Sequence, residues 1–289
     1  LIGRTLAAQI AAKTLMREEV ILCTKGGYIP FDEEVPADPA RYVVDQVINA
    51  RLASYDEIVA GCHCLSPTFL DASLKTSLAN LRVQTIDVYY LHNPEQQLDE
   101  IDRDTFLARM ETAFTLLEER AQQGTLRYYG AATWNGFRCA PTARGYLSLE
   151  TLVQLAARIG GADHHFRVIQ LPYNLAMAEA CSFNNQRVGE ETVTLLEAAR
   201  HFGLSVVISA SLLQSKLAHL PATLSDRIPG LSSSAQRALQ FVRSTPGVTT
   251  ALAGMKQRAH VEENLALARH PLLPEDAVRY LFDRTKKKQ

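Results

Sequence analysis

The sequence contains neither GxGxxG nor GxxxxGK[ST], the glycine turns that cradle phosphates where a strand enters a helix. Their absence weakens a Rossmann or P-loop reading. No apolar run approaches the ~18 residues of a membrane span, and no basic-then-apolar leader opens the chain. Cysteine is sparse: five residues in 289, at 23, 62, 64, 139 and 181. The odd count and irregular spacing exclude a disulfide framework and fit reduced thiols in a cytoplasmic protein. An excess of either charge is missing too. Thirty Lys and Arg face 31 Asp and Glu, for a net charge of −1, which argues against a general nucleic-acid or acidic-membrane binder. The basic run Lys286-Lys287-Lys288 then reads as a solvated terminus. No second CxxC or HxxxH pair follows Cys62-His63-Cys64, so this triplet reads as a loop with incidental thiols and no metal is expected. Asp32, Glu33 and Glu34, and the pair Glu118 and Glu119, read as solvated charge.

An initiator Met is also lacking. The chain starts at Leu1 within LIGRTLAAQIAAKTLM, where Leu6, Ile10 and Leu15 share a helical face with Ile2. A chain that opens inside a helix is expected to have lost a segment upstream.

What is present is a regular alternation, in a chain that is 47% apolar. Short β-branched runs predict strands at 20–24, 87–91, 126–132, 167–171, 204–209 and 249–253. Helical patterns are expected at 67–81, 104–123, 148–159, 189–202, 232–244 and 260–268. This pattern predicts an α/β protein with a parallel sheet. Gly124 and Gly203 stand where helices should stop. No repeat or linker divides the chain, so one domain over 1–289 is expected. The long segment Gly26 to Ser66 should include a helix near 39–60, and a connection of that length is usually functional. Six strand–helix units are visible, whereas a closed (β/α)8 barrel needs eight.

Chemistry-bearing residues collect at the strand ends. Lys25 closes VILCTK, His92 closes DVYYLH, and Thr133-Trp134 follow RYYGAA. Gln170 lies in VIQLPYN, and Ser209 ends VVIS. In a parallel barrel these ends form one rim, where active sites are built. Each such residue taken alone has a plain structural reading. His92 would be a hydrogen-bonded strand-end histidine and Lys25 a surface lysine; their convergence points to a polar pocket.

In order and spacing, these pieces resemble the aldo-keto reductase superfamily, NADPH-dependent (β/α)8-barrel oxidoreductases. The resemblance rests on VILCTKGG, DVYYLH, GTLRYYGAATW, QLPYN, VVISASLLQSKL and ALAGMKQRAHVEENL, and spans essentially the whole chain. It implies a catalytic tetrad of Asp, Tyr, Lys and His. There the Tyr protonates the carbonyl oxygen, the Lys lowers the Tyr pKa, and the His orients the substrate. Lys25 and His92 match the Lys and His. By the same alignment the Asp, the Tyr and the first two barrel strands lie before Leu1, so this chain alone is expected to be a poor catalyst. Tyr28 is a conceivable substitute acid but is expected, with Trp134, to wall the substrate pocket.

For NADPH, the resemblance assigns Thr133 and Gln170 to the nicotinamide amide. Ser209 replaces the family's stacking Tyr, and Leu212 lies against the pyrophosphate. Gly254, Lys256, His260, Glu263 and Asn264 take the adenosine end, with Lys256 and Arg258 facing the 2′-phosphate. Without the family match, AHVEEN is simply a helix start.

The leading expectation is therefore reduction of a small aldehyde or ketone. A non-catalytic NADPH-binding regulatory subunit is the alternative. A Schiff-base aldolase using Lys25 is a third, disfavoured by residues 254–264. Specificity should lie in residues 26–66 and in those beyond 134. The oligomeric state is not legible.

Overall fold

The computed structural model describes residues 1–31, 34–221 and 227–281. Lys286–Lys288, Asp32 and Glu33 lie outside the described residues. The chain forms two compact units, Leu1–Ile169 and Gln170–Gln289.

The first unit holds helix α1 (Ile2–Ala11), strand β1 (Cys23–Gly26), short helix α2 (Pro39–Val43) and the small strands β2 (Ile58–Val59) and β3 (His63–Cys64). Then follow α3 (Pro67–Leu81), β4 (Ile86–His92), α4 (Arg103–Gln122), β5 (Leu126–Ala132) and α5 (Leu149–Gly160). Strand β6 (Phe166–Pro172) runs on into the second unit. The sheet order here is β1-β4-β5-β6. Strand β1 pairs parallel with β4, Lys25 opposite Tyr90. Strand β4 pairs parallel with β5, His92 opposite Ala132. In-register residues share a face and alternate residues return to it, so Lys25, Tyr90 and His92 point the same way.

Local sequence sets the helix limits. Ser66 Oγ accepts from Phe69 N–H at 3.2 Å with Pro67 in the first turn, and α3 ends at Arg82, whose backbone is left-handed. Asp102 caps α4 in the same way, accepting from Thr105 N–H at 2.8 Å. Gly124 (φ +77°) closes α4, as expected of a C-terminal glycine. The unit's core stacks Phe114 of α4 on Phe166 of β6, with Tyr129 of β5 edge-on to Phe114. Each such ring contributes about 1.5–3 kcal/mol by leaving water.

Four expectations need correction in this unit. The α1 face that packs is Gly3 and Leu6, while Ile2 is 67% exposed. A Cβ on Gly3 would stand 2.1 Å from the Asn80 carbonyl oxygen, so α1 packs on its glycine. The helix expected over 39–60 stops early: α2 continues through a single π turn to Ile48, and Arg51 is left-handed. Val43 and Val47 are buried as their spacing implied, but against Ile29, Cys64 and Phe69, with Leu52 and Ile58 folding back onto the same cluster. His63 and Cys64 are buried strand residues rather than loop. Glu118 is 2% exposed, not solvated. Its carboxylate accepts from the His165 main-chain N–H at 3.0 Å and meets the His165 ring at 2.6 Å. Glu34 and Glu119 are exposed as expected.

The second unit contains the end of β6, α6 (Glu179–Ser182), β7 (Asn184–Val188), β8 (Glu191–Thr194) and α7 (Leu195–His201). It continues with β9 (Ser205–Ser209), α8 (Ser234–Ser244), β10 (Thr250–Ala251), α9 (Arg258–Ala266) and α10 (Glu275–Tyr280). Strand β9 lies between β6 and β10 and pairs parallel with β10. The helix expected over 189–202 begins only at Leu195. Residues 184–194 form an antiparallel hairpin turning at Gly189 (φ +61°), and Thr194 with Glu197 makes a reciprocal cap that starts α7.

Candidate active site

Strand β1 carries Lys25 and strand β4 ends on His92, and both line one cavity of about 450 Å³ in the first unit. Tyr28, Ile29, Tyr42, Val47, Leu52 and Phe69 form its ring-rich and aliphatic wall, while Ser73, Thr76, Ser77 and Asn80 of α3 give it a polar side. Lys25 has no hydrogen-bond or ion-pair partner among the described residues. Burial lowers its pKa, opposed weakly by the Cys23 thiol. His92 is pushed down to about 4, by burial first and then by Lys25 and His63. At neutral pH it is an uncharged imidazole, able to hydrogen bond a substrate without repelling the ammonium beside it.

Tyr28 lies between two histidines. Its ring is edge-on to His92 at 4.8 Å and to His63 at 5.0 Å. Its hydroxyl donates to Gln96 Oε1 and accepts from Asn93 Nδ2 at 3.3 Å. Burial raises its pKa, with Cys62, Glu95 and Asp99 adding to the rise, against the lowering effect of the Asn93 hydrogen bond. Tyr28 thus walls the cavity but is not activated as an acid. Trp134 is 44% exposed and lines a separate cavity of about 370 Å³ with Asn93, Glu95 and Cys139.

Beyond β5, Thr133 is buried and its Oγ1 has no partner. The turn after it is held by Glu95, whose Oε1 accepts from the N–H groups of Trp134 (2.7 Å), Asn135 (3.0 Å) and Gly136 (3.2 Å). Sequence reasoning gave Glu95 no role and weighed His63 only as part of the Cys62-His63-Cys64 triplet, read as a loop. The only sequence signal for Glu95 is its place three residues past His92, within the 3-10 turn Pro94–Asp99.

The other proposed cofactor residues belong to the second unit. Gln170 is buried on β6, with its side-chain amide unbonded among the described residues. Ser209 ends β9, and no aromatic ring stands at that position. Leu212 sits in a tight turn in which Ala210, Leu213, Gln214 and Ser215 all have left-handed backbone. Such strain collects at ligand clamps. Gly254 is exposed, and a Cβ there would meet nothing within 4 Å. Lys256 and His260 are exposed, Glu263 and Asn264 half-buried. Lys256 has no ion-pair partner among the described residues, whereas Arg258 pairs with Glu262 at 2.7 Å.

The aldo/keto reductase family model matches residues 1–147 of the 289. The chain belongs to the aldo/keto reductase family. No curated protein sequence matches this aldo/keto reductase chain. Solved structures do. The holo form of an aldo-keto reductase from Bacillus halodurans is 17% identical, with a TM-score of 0.61 over 100% of this chain and 79% of that one. A thermostable aldo-keto reductase in complex with the inhibitor epalrestat is 18% identical, with a TM-score of 0.59 over 97% of this chain and 74% of that one. A protein provisionally designated 2,5-diketo-D-gluconic acid reductase B is 18% identical, with a TM-score of 0.59 over 100% of this chain and 76% of that one. These likenesses establish the fold, the α/β barrel type of the aldo-keto reductases. Family membership supports an oxidoreductase that acts on small carbonyl compounds with a nicotinamide cofactor.

The residues fit such a cofactor in most respects. In the first unit the Thr133 hydroxyl is orphaned, and in the second the Gln170 amide and Lys256 ammonium have no partner among the described residues, so each unit offers open polar groups of the kind such a cofactor bonds. Ser209 offers nothing for a ring to stack on. No helix among the described residues is long and apolar enough to cross a membrane.

Proposed function

We propose that this chain reduces an aldehyde or ketone with NADPH, with Lys25 and His92 as its catalytic side chains. The observation that carries the reading is that an unpaired lysine and a neutral histidine line one cavity. NADPH, when bound, supplies hydride to the carbonyl carbon. His92 donates a hydrogen bond that orients the carbonyl. The Lys25 ammonium stabilises negative charge developing on the oxygen, and such preorganised charge is a large catalytic term in a dry site. The oxygen takes its proton from Lys25, which regains one from solvent, so carbonyl, hydride and proton balance to alcohol. By the resemblance, Thr133 and Gln170 would bond the carboxamide, Leu212 would lie against the pyrophosphate, and Gly254, Lys256, His260, Glu263 and Asn264 would take the adenosine end. The mixed lining of the cavity favours a substrate with an apolar body and some hydroxyl or amide character.

A second reading is a subunit that binds NADPH and regulates a partner. It is favoured by the lack, among the described residues, of a carboxylate or tyrosine hydroxyl paired with Lys25. The test adds NADPH and a panel of aldehydes and ketones to the 289-residue chain. Nucleotide fluorescence reports binding and absorbance reports oxidation. Carbonyl-dependent oxidation that disappears in Lys25→Met and His92→Phe supports the reductase. Saturable binding without oxidation favours the regulator. Neither binding nor oxidation rejects both.

A further inference from the structure

His63 is fully buried, with 0% exposed, and every polar atom on its ring is engaged. The direction of each bond follows from a cation at the far end of the chain of contacts. Arg109 can only donate, and its Nη1 lies 2.6 Å from Gln97 Oε1. Its other contacts are the main-chain oxygens of Asp56 at 2.6 Å and Glu57 at 3.4 Å, which also accept. The Gln97 oxygen must therefore face Arg109, and the amide nitrogen must face His63. That nitrogen can only donate, and it lies 2.8 Å from His63 Nδ1. Nδ1 is then the bare acceptor, and the ring proton sits on Nε2. His63 Nε2–H donates to the main-chain carbonyl of His92 at 2.8 Å.

We propose that His63 is the positioning residue for His92: by holding the His92 carbonyl, it fixes the backbone from which the His92 ring reaches the substrate. This inference rests on the proposed role of His92. Three features of the fold serve the contact. Gly27 crosses directly over it at φ +124°, where a Cβ would stand 3.0 Å from His63 Nε2 and 3.2 Å from the His92 oxygen. Strand β4 ends at that point, because Asn93 turns left-handed while its N–H still bonds the Ala132 carbonyl at 2.6 Å. The Tyr28 ring wedges edge-on against both imidazoles. Burial keeps His63 neutral, pushing its pKa down to about 4, so the tautomer persists at working pH. A catalytic group displaced by about 1 Å can lose ~10²-fold in rate.

Two variants separate positioning from bulk packing. In His63→Gln the side-chain amide can still donate to the His92 carbonyl. In His63→Phe the ring volume stays and no donor remains. Histidine-selective 15N spectra of the 289-residue chain at neutral pH should show His63 protonated on Nε2 alone. The His92 ring signals and titration midpoint should move in His63→Phe and stay close to wild type in His63→Gln. In turnover with an aldehyde, His63→Phe should lower kcat by roughly ten- to a hundredfold with NADPH affinity unchanged, and His63→Gln should recover most of the loss. A proton on Nδ1, or unmoved His92 signals in His63→Phe, overturns the proposal. If wild type shows no turnover, the reductase reading fails while the spectra still decide the role of His63. If His63→Phe does not fold, the wild-type tautomer and the His63→Gln titration decide it.

Discussion

Replacing Glu95 with alanine should detach the turn that follows β5. Glu95 is only 8% exposed, and one of its oxygens accepts three consecutive main-chain N–H groups, from Trp134, Asn135 and Gly136. Each buried donor left without an acceptor costs roughly 1–3 kcal/mol. Water can reach the first two more easily than Gly136, so the net loss should be about 2–4 kcal/mol. For a protein of this size that lowers Tm by roughly 5–12 °C. Glu95→Gln keeps an acceptor oxygen in place and should lose far less. The two variants also differ in pH behaviour. Burial raises the Glu95 pKa above the ordinary glutamate value of 4.5, against the lowering effect of the N–H bonds. A carboxyl with a raised pKa supports the fold fully below the ordinary value and loses that support as pH rises through the raised one. Glu95→Gln, neutral throughout, should therefore gain on wild type between pH 4 and pH 7. Thermal unfolding of the three proteins at pH 4, 5.5 and 7 measures both effects. A Glu95→Ala protein within 0.5 kcal/mol of wild type at pH 7 would refute the turn-anchoring argument. A constant gap between Glu95→Gln and wild type across the pH range would refute the burial argument.

Gly130→Ala should be among the most damaging single-methyl additions, because the new Cβ would lie 1.7 Å from the Val168 carbonyl oxygen, forcing β5 and β6 apart. A loss of at least ~3 kcal/mol is expected by chemical denaturation, and a near-normal midpoint would contradict the packing. Acid should weaken the fold through His63, whose folded pKa of about 4 lies below the ordinary 6.5. Its stabilising contribution is complete above pH 6.5 and falls as pH drops toward 4, by roughly 3 kcal/mol for so deeply buried a ring. The gap between urea midpoints at pH 7 and 4 should narrow in His63→Gln without closing, since His92 still titrates near 4, and equal slopes with pH in the two proteins would count against this. Lys256→Ala should weaken NADPH by about 1.5–3 kcal/mol and leave NADH nearly unchanged, since only the 2′-phosphate differs. Equal weakening of both in a fluorescence titration would remove Lys256 from the phosphate site.

What was legible in the sequence is what local chemistry decides. Leu126–Ala132 and Pro67–Leu81 match the observed bounds to the residue, the first as a tyrosine-bearing apolar run just after the Gly124 stop, the second as a helical pattern. What escaped depended on distant partners. His63 finds its contacts 29 and 34 residues away, and Glu118 finds His165 47 residues away, so neither burial has a local sign. The stretch 39–60 misled for a related reason. Its apolar residues do share a core, but they reach it by reversing the chain rather than by staying on one helical face. The 184–194 hairpin was hidden because Val193, Leu195 and Leu196 mimic the start of a helix.

The pairing of 27–29 with 62–64 has a consequence for diversification. Cys64 N–H bonds the Gly27 carbonyl at 2.7 Å and Ile29 N–H bonds the Cys62 carbonyl at 2.8 Å, so the intervening segment departs and returns through one fastened neck. Lys25 and His92 lie outside the excursion and His63 lies in the neck itself, while Val47 and Leu52 within the excursion give the cavity aliphatic wall. Closing a longer excursion costs only about 0.6 kcal/mol per doubling of length. Residues 34–54 are therefore the part most open to exchange, with 56–59 kept for their contacts with Arg109 and His63. Grafts could alter which substrates are admitted without touching the reacting groups, provided each brings apolar side chains to replace Val43, Val47 and Leu52 against Ile29 and Phe69.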